Sequence, residues 1–144
     1  MCLKSKRLFP RRAKEDIVAG KCLDITHDNK VVTYYQRYPV HSLEMKEKFS
    51  LSTILKMFIN RIRYEYLYYR LEGGMIHSYN FSDLDYFTIQ QFETGTIEHQ
   101  TMWIKAIIPK GALYYKDSLG VTYASNILIL KPTKEQLKYF KCNG

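Results

Sequence analysis

Two rhythms of apolar and polar positions run along the chain. The first is carried by β-rich runs of β-branched and aromatic residues, Met102–Ile108 (MWIKAII) and Thr122–Leu130 (TYASNILIL), which predicts strands. Between them lie a Pro109-Lys110-Gly111 turn, a short Ala112–Tyr115 strand and an Asp117-Ser118-Leu119-Gly120 turn. Each break falls where Pro or Gly supplies the backbone angles a turn demands. The stretch 102–130 therefore reads as the hydrophobic centre of a sheet. Upstream, Asp16–Ile25 predicts a first strand. A His-Asp-Asn-Lys turn leads from it into a second, Lys30–Arg37, that Pro39 ends, and the two together make a hairpin. Ser42–Phe49 alternates only briefly and reads as a loop or short edge strand.

The second rhythm is helical. Leu51, Ile54, Leu55, Phe58, Ile59 and Ile62 recur at steps of three and four, while Ser52, Lys56, Asn60, Arg61 and Arg63 fall between them. The apolar stripe is expected to be the core face, with Ser50 or Ser52 as cap. Beyond it, Tyr64–Leu71 predicts a strand closed by Gly73-Gly74, and Met75–Tyr79 a short buried strand. Ser82, with Asp85 three residues on, predicts the start of a helix carrying Leu84, Phe87 and Gln91 or Phe92 along one side, broken by Gly95. Glu98–Thr101 reads as a polar loop. After Pro132, Thr133–Phe140 predicts a last amphipathic turn or two that sets Leu137 and Phe140 on the body. The sum is one α+β domain with a mostly antiparallel central sheet and two or three helices.

Composition adds a compartment and a charge map. A chain of 144 residues buries roughly two-thirds of its unfolded surface and needs no staples. Cys2, Cys22 and Cys142 form an odd set without metal-ligand spacing, which speaks against a disulfide framework and a structural zinc site. No run approaches the roughly 20 apolar residues of a membrane span, and the basic start lacks a signal-peptide apolar segment, so a cytoplasmic protein with no membrane partner is expected. The net charge of +8 is concentrated at one end. Lys4, Lys6, Arg7, Arg11, Arg12 and Lys14 precede the first acid, Glu15, leaving a body of net charge +2. Residues 1–14 thus read as a basic arm, either a solvated tail or a contact for nucleic acid or an acidic partner.

Several short motifs carry a resemblance. Glu15-Asp16-Ile17, Tyr34-Tyr35-Gln36 with Tyr38, Ile76-His77-Ser78-Tyr79, Ile108-Pro109-Lys110-Gly111 with Tyr114-Tyr115, and Tyr123-Ala124-Ser125-Asn126 together resemble a family of small bacterial and phage proteins. That resemblance implies a single cytosolic domain and no particular activity. Ile107-Ile108-Pro109-Lys110-Gly111 followed by Tyr114 also resembles the strand and turn that follow the acid pair in toxin-type ADP-ribosyltransferases, which would imply that fold and NAD as cofactor. Trp103 and Lys105 stand where the acids would be, so the resemblance implies a non-catalytic relative.

The candidate chemistry is sparse. His77, with Tyr79 beside it, is the candidate catalytic pair, because an imidazole titrates near working pH; a satisfied strand histidine is the plainer account. His27, His41 and His99 lie in predicted loops. The aromatic excess, 13 Tyr and 7 Phe, directs attention to ligand binding by Tyr34, Tyr35, Arg37, Tyr38, His77 and Tyr79. Arg63, Tyr64, Tyr66, Tyr68, Tyr69 and Arg70 form a second tyrosine and arginine group. Phenol rings interleaved with guanidinium groups stack bases and anchor protein partners alike, and buried rings are the plainer alternative. The reading is a non-catalytic binding module for a nucleotide, a nucleic acid or a host protein, with no cofactor and no metal. Its alternatives are an NAD-using ADP-ribosyltransferase-like enzyme and a phage inhibitor of a host protein.

Overall fold

The computed structural model describes residues 3–34, 37–71 and 74–141. Tyr35, one of the expected ligand-binding residues, lies outside them, as do Cys2 and Cys142. The organising pair is β3 (Ile17–Ile25) and β9 (Thr101–Ile108), antiparallel from Ile17↔Ile108 to Asp24↔Thr101. Around this pair the order is β2 (Arg11–Arg12), β10 (Leu113–Lys116), β11 (Thr122–Ser125), β7 (Ile76–Asn80), β3, β9, β12 (Ile127–Lys131) and β5 (Glu44–Lys46). β4 (Val31–Thr33) pairs with β3, and β8 (Ile97–Glu98) with β9. A separate ladder joins β1 (Lys4–Ser5) to β6 (Tyr69–Arg70). Every pairing is antiparallel, and with helices α1 (Leu51–Arg63), α2 (Tyr86–Thr94) and α3 (Lys134–Lys141) the chain is the single α+β domain its pattern predicts.

Alternation along β9 decides the two faces. Met102, Ile104, Ala106 and Ile108 point inward with Ala19, Leu23, Leu128, Leu130, Val31 and Tyr123. Tyr114 near one end of the strand order and Met45 at the other pack on that same cluster, so the sheet curls and encloses its own core. Tyr139 and Phe140 of α3 pack against it as well. The helix is anchored by Gln136: its Oε1 accepts from Thr133 N at 3.0 Å, its Nε2 donates to the Trp103 carbonyl at 2.7 Å, and Thr133 Oγ1 accepts from Gln136 N at 3.3 Å. This is a reciprocal cap that also satisfies a strand carbonyl beyond the end of β12. α1 and α2 cover the outer face.

The structure redraws five of the expected elements. The second strand stops at Thr33 because the chain doubles back there: Thr33 Oγ1 accepts from Tyr38 N at 2.9 Å, and Thr33 N donates to Tyr38 O at 2.9 Å. The segment 64–68 is not a strand. α1 ends in a left-handed residue, Glu65 at φ 53°, with Tyr66 N donating to Arg61 O at 3.1 Å, a helix stop that Gly commonly makes and that its absence disguised. Only Tyr69–Arg70 pair as strand. The second helix begins at Tyr86 with Asp85 itself as cap, its Oδ1 accepting from Thr88 N at 2.7 Å; Phe81–Asp83 form a separate 3₁₀ turn. The polar loop before β9 is a tight hairpin, with His99 and Gln100 at φ 52° and 64°.

The largest difference is the rotation of α1. Of the apolar stripe expected to face the core, Ile54 alone is buried; Met57, outside that stripe, is the other buried residue of the helix. Met57 fits a small cluster of Leu3, Leu71, Tyr115 and Ala124, and the Arg61 guanidinium lies 4.4 Å over the Tyr69 ring beside it. These contacts fix the turn of the helix and leave Leu51, Leu55, Phe58, Ile59 and Ile62 exposed.

Candidate anion-binding groove

The amino-terminal segment is not a detached arm. Leu3 is buried, Lys4–Ser5 pair with Tyr69–Arg70, and Leu71 N donates to Leu3 O at 2.9 Å. Ser5 Oγ accepts from Arg7 N at 3.0 Å and donates to Arg7 O at 2.9 Å, which turns the chain sharply. Tyr115 then pins the loop by donating its hydroxyl to Leu8 O at 2.7 Å; burial pushes this phenol's pKa up, so it remains a donor. Arg11–Arg12 finally pair with Leu113–Tyr114 at the outer edge of β10.

Between the loop and the far end of β10 lies a groove of about 160 Å³. Lys6, Arg7 and Arg11 line it from one wall and Lys116 from the other, with Phe9 and Tyr114 between. Among the described residues none of these four cations is ion-paired. The single carboxylate in the lining, Asp117, is occupied by main-chain donors, Lys4 N at 3.2 Å and Leu119 N at 3.3 Å. The groove is therefore strongly cationic, with two aromatic rings. Of the six basic residues expected to act together, Lys6, Arg7 and Arg11 share the lining of this groove. Lys4 flanks the groove through its main chain, Arg12 donates to Gly111 O at 2.7 Å, and Lys14 lies elsewhere on the surface. Lys116, Phe9 and Tyr114 were missed. Lys116 closes the strand that opens Leu-Tyr-Tyr, so it was legible as a charge on an aromatic strand but not as a neighbour of Lys6.

The other expected site residues do not line this groove. Tyr34 and Tyr38 are exposed at the turn after β4, and the Arg37 guanidinium pairs with Asp24 at 2.9 Å, itself held by the Thr101 hydroxyl at 3.1 Å. Tyr79 belongs to the packing beneath α2, its ring centroid 5.4 Å from that of Trp103, which in turn meets Phe92 at 5.9 Å. In the second tyrosine and arginine group the rings and guanidinium groups stack on each other: Arg70 lies 4.6 Å over Tyr66, and Tyr64 stacks on Tyr66 at 5.5 Å. Those faces serve the loop after α1 rather than an incoming ring.

His77 stands exposed on the outer face, where a buried strand position was expected. Its ring lies low enough on the sheet that partial burial, and then the Lys21 ammonium, lower its pKa. The Lys21 ammonium donates to the His77 carbonyl at 2.6 Å, and burial brings this lysine down to about 8. A larger concavity of about 450 Å³ beside α2 is lined by Phe87, Gln90, Gln91, Thr94 and Thr96 and carries no charge. No group of three or more metal-ligating side chains occurs among the described residues, and no helix is long and apolar enough to cross a membrane. Comparison with protein-family models, with curated proteins and with solved structures gives no match.

Proposed function

We propose that the protein is a non-catalytic binding module whose ligand is a nucleic acid, gripped by its phosphates in the groove between residues 5–11 and 114–118. The observation that supports this reading is the convergence of Lys6, Arg7, Arg11 and Lys116 around Phe9 and Tyr114, four cations against the single carboxylate of Asp117. Size narrows the ligand. At about 160 Å³ the groove falls below the roughly 300 Å³ at which pockets begin to enclose a whole small molecule, so it suits a backbone phosphate with a base laid against Phe9 rather than an enclosed nucleotide. Counterion release drives such binding, and the aromatic ring is indifferent to base identity. A cytoplasmic setting agrees with the free thiol of Cys22. ADP-ribosyl transfer from NAD draws no comparable support: Trp103 and Lys105 occupy the acid positions, and the charge set against His77 is a cation.

The test is fluorescence anisotropy of labelled single-stranded DNA over a salt series. Four phosphate contacts on a single strand give log K against log salt a slope of about −3. Arg7→Ala with Arg11→Ala should weaken binding and flatten that slope by about 1 to 2. Absence of binding at low salt, or an unchanged slope in the double variant, overturns the reading. Stoichiometric co-purification of one host protein at high salt, with no DNA binding, would favour a protein inhibitor instead.

A further inference from the structure

α1 presents to solvent the face that a helix normally buries. At about 100° per residue, Leu51, Leu55, Phe58, Ile59 and Ile62 fall within an arc of about 100° that contains no polar residue. Leu51 is 79 % exposed, Ile62 63 % and Leu55 58 %. The apolar surface resumes past the helix end at Tyr64 and Leu67, 54 % and 78 % exposed, with the exposed acid Glu65 between them. Contiguous exposed apolar surface of this kind marks a contact site. One border of the arc is Ser52, Lys56 and Arg63, and the helix contains no acid.

The geometry points to an anionic membrane surface as the occupant, met by α1 lying in the lipid headgroup region without spanning it. Three observations select it. The apolar arc is on a helix laid over the sheet, a convex ridge of about 20 Å that suits a deformable surface. Its bordering cations, Lys56 and Arg63, stand where long basic side chains reach headgroup phosphates while their stems lie along the acyl boundary. Charge continues in the same sense: through Met57 the helix packs on Leu3 and Tyr115, so it stands beside the segment carrying Lys4, Lys6 and Arg7. The apolar arc lines no part of the nucleic-acid groove; only the charges of Lys6 and Arg7 are common to both contacts.

The full-length chain is to be sedimented with vesicles of phosphatidylcholine alone and of equal parts phosphatidylcholine and phosphatidylglycerol. Partition should favour the anionic vesicles by about tenfold or more, as two cations near such a surface imply. Leu55→Ser with Phe58→Ser alters exposed side chains only; with its circular dichroism unchanged, it should lose binding to both vesicles. Lys56→Gln with Arg63→Gln should lose most of the preference for anionic lipid, and Arg7→Ala with Arg11→Ala should lower it by no more than about fivefold while leaving binding to phosphatidylcholine alone unchanged. Equal partition into both vesicle types, binding that survives the Leu55 and Phe58 changes, or a Leu55- and Phe58-dependent dimer without vesicle binding overturns the inference.

Discussion

The ammonium of Lys21 lies 2.6 Å from the main-chain carbonyl of His77, just where β3 and β7 cease to pair after Gly20↔Tyr79. A side chain thus takes over a ladder contact, and its charge is partly buried to do so. Lys21 loses its proton near pH 8 in the fold and near 10.5 when unfolded. Between these values the unfolded chain holds the extra proton, so the Lys21 contribution to stability should rise with pH through this window and be level below it. The rise is on the order of 2 kcal/mol, after allowing for the partial solvent access of the group. Urea denaturation from pH 7.5 to 10.5 checks it as the difference from Lys21→Met, which keeps the opposing fall above pH 9 due to the Cys22 thiol, pushed by burial up to about 12; parallel curves for the two chains would refute it.

Ser78 carries a buried hydroxyl with no hydrogen-bond partner among the described residues. An unanswered buried donor costs about 1 kcal/mol or more, so Ser78→Ala should stabilise the fold by about 1 kcal/mol and raise Tm by about 2–4 °C. A lowered Tm in calorimetry would mean that the hydroxyl is bonded in solution.

Tyr115→Phe keeps the ring in the cluster with Met57 and Leu3 but removes the hydroxyl that holds Leu8 O. A loss of about 1 kcal/mol in stability is expected. If the groove binds DNA, affinity should fall as well, because the loop bearing Lys6 and Arg7 loses its tether. Unchanged hydrogen-exchange protection across residues 5–9 in this variant would show that the tether does not order the loop.

Gly20 sits directly beneath α2. A Cβ there would stand 2.5 Å from Phe92 Cζ and 3.0 Å from Leu84 Cδ1. Gly20→Ala should therefore cost about 1–3 kcal/mol, and Phe92→Leu should recover part of that cost in the same chain. Strict additivity of the two changes in denaturation experiments would rule out the contact.

The sheet was legible because its central strands are runs of β-branched and aromatic residues bounded by Pro and Gly turns; that Met102, Ile104, Ala106 and Ile108 are the buried set emerged only with the structure. Other features are decided by distant partners. Periodicity located α1 and its apolar stripe correctly, but which face turns inward depended on the hole formed by Leu3, Leu71, Tyr115 and Ala124, residues from four separate stretches. The arm looked free because its pairing partners, Tyr69–Arg70 and Leu113–Tyr114, lie far along the chain. For the same reason three of the groove's cations could be named from sequence and Lys116 could not. His77 stood out for its chemistry and was placed correctly on a strand, but it was expected buried, whereas its neighbours Ile76 and Ser78 are the residues that face inward.

The short pairing of Arg11–Arg12 with β10 has one more implication. It hems the outermost long strand of the sheet, whose amides and carbonyls would otherwise invite another molecule's strand. Cleaving the chain before Ala13 would unstitch that hem, and the shortened protein should stack edge to edge into larger particles. Arg11–Arg12 thus occupy the edge amides and carbonyls that Leu113 and Tyr114 would otherwise offer to a neighbour.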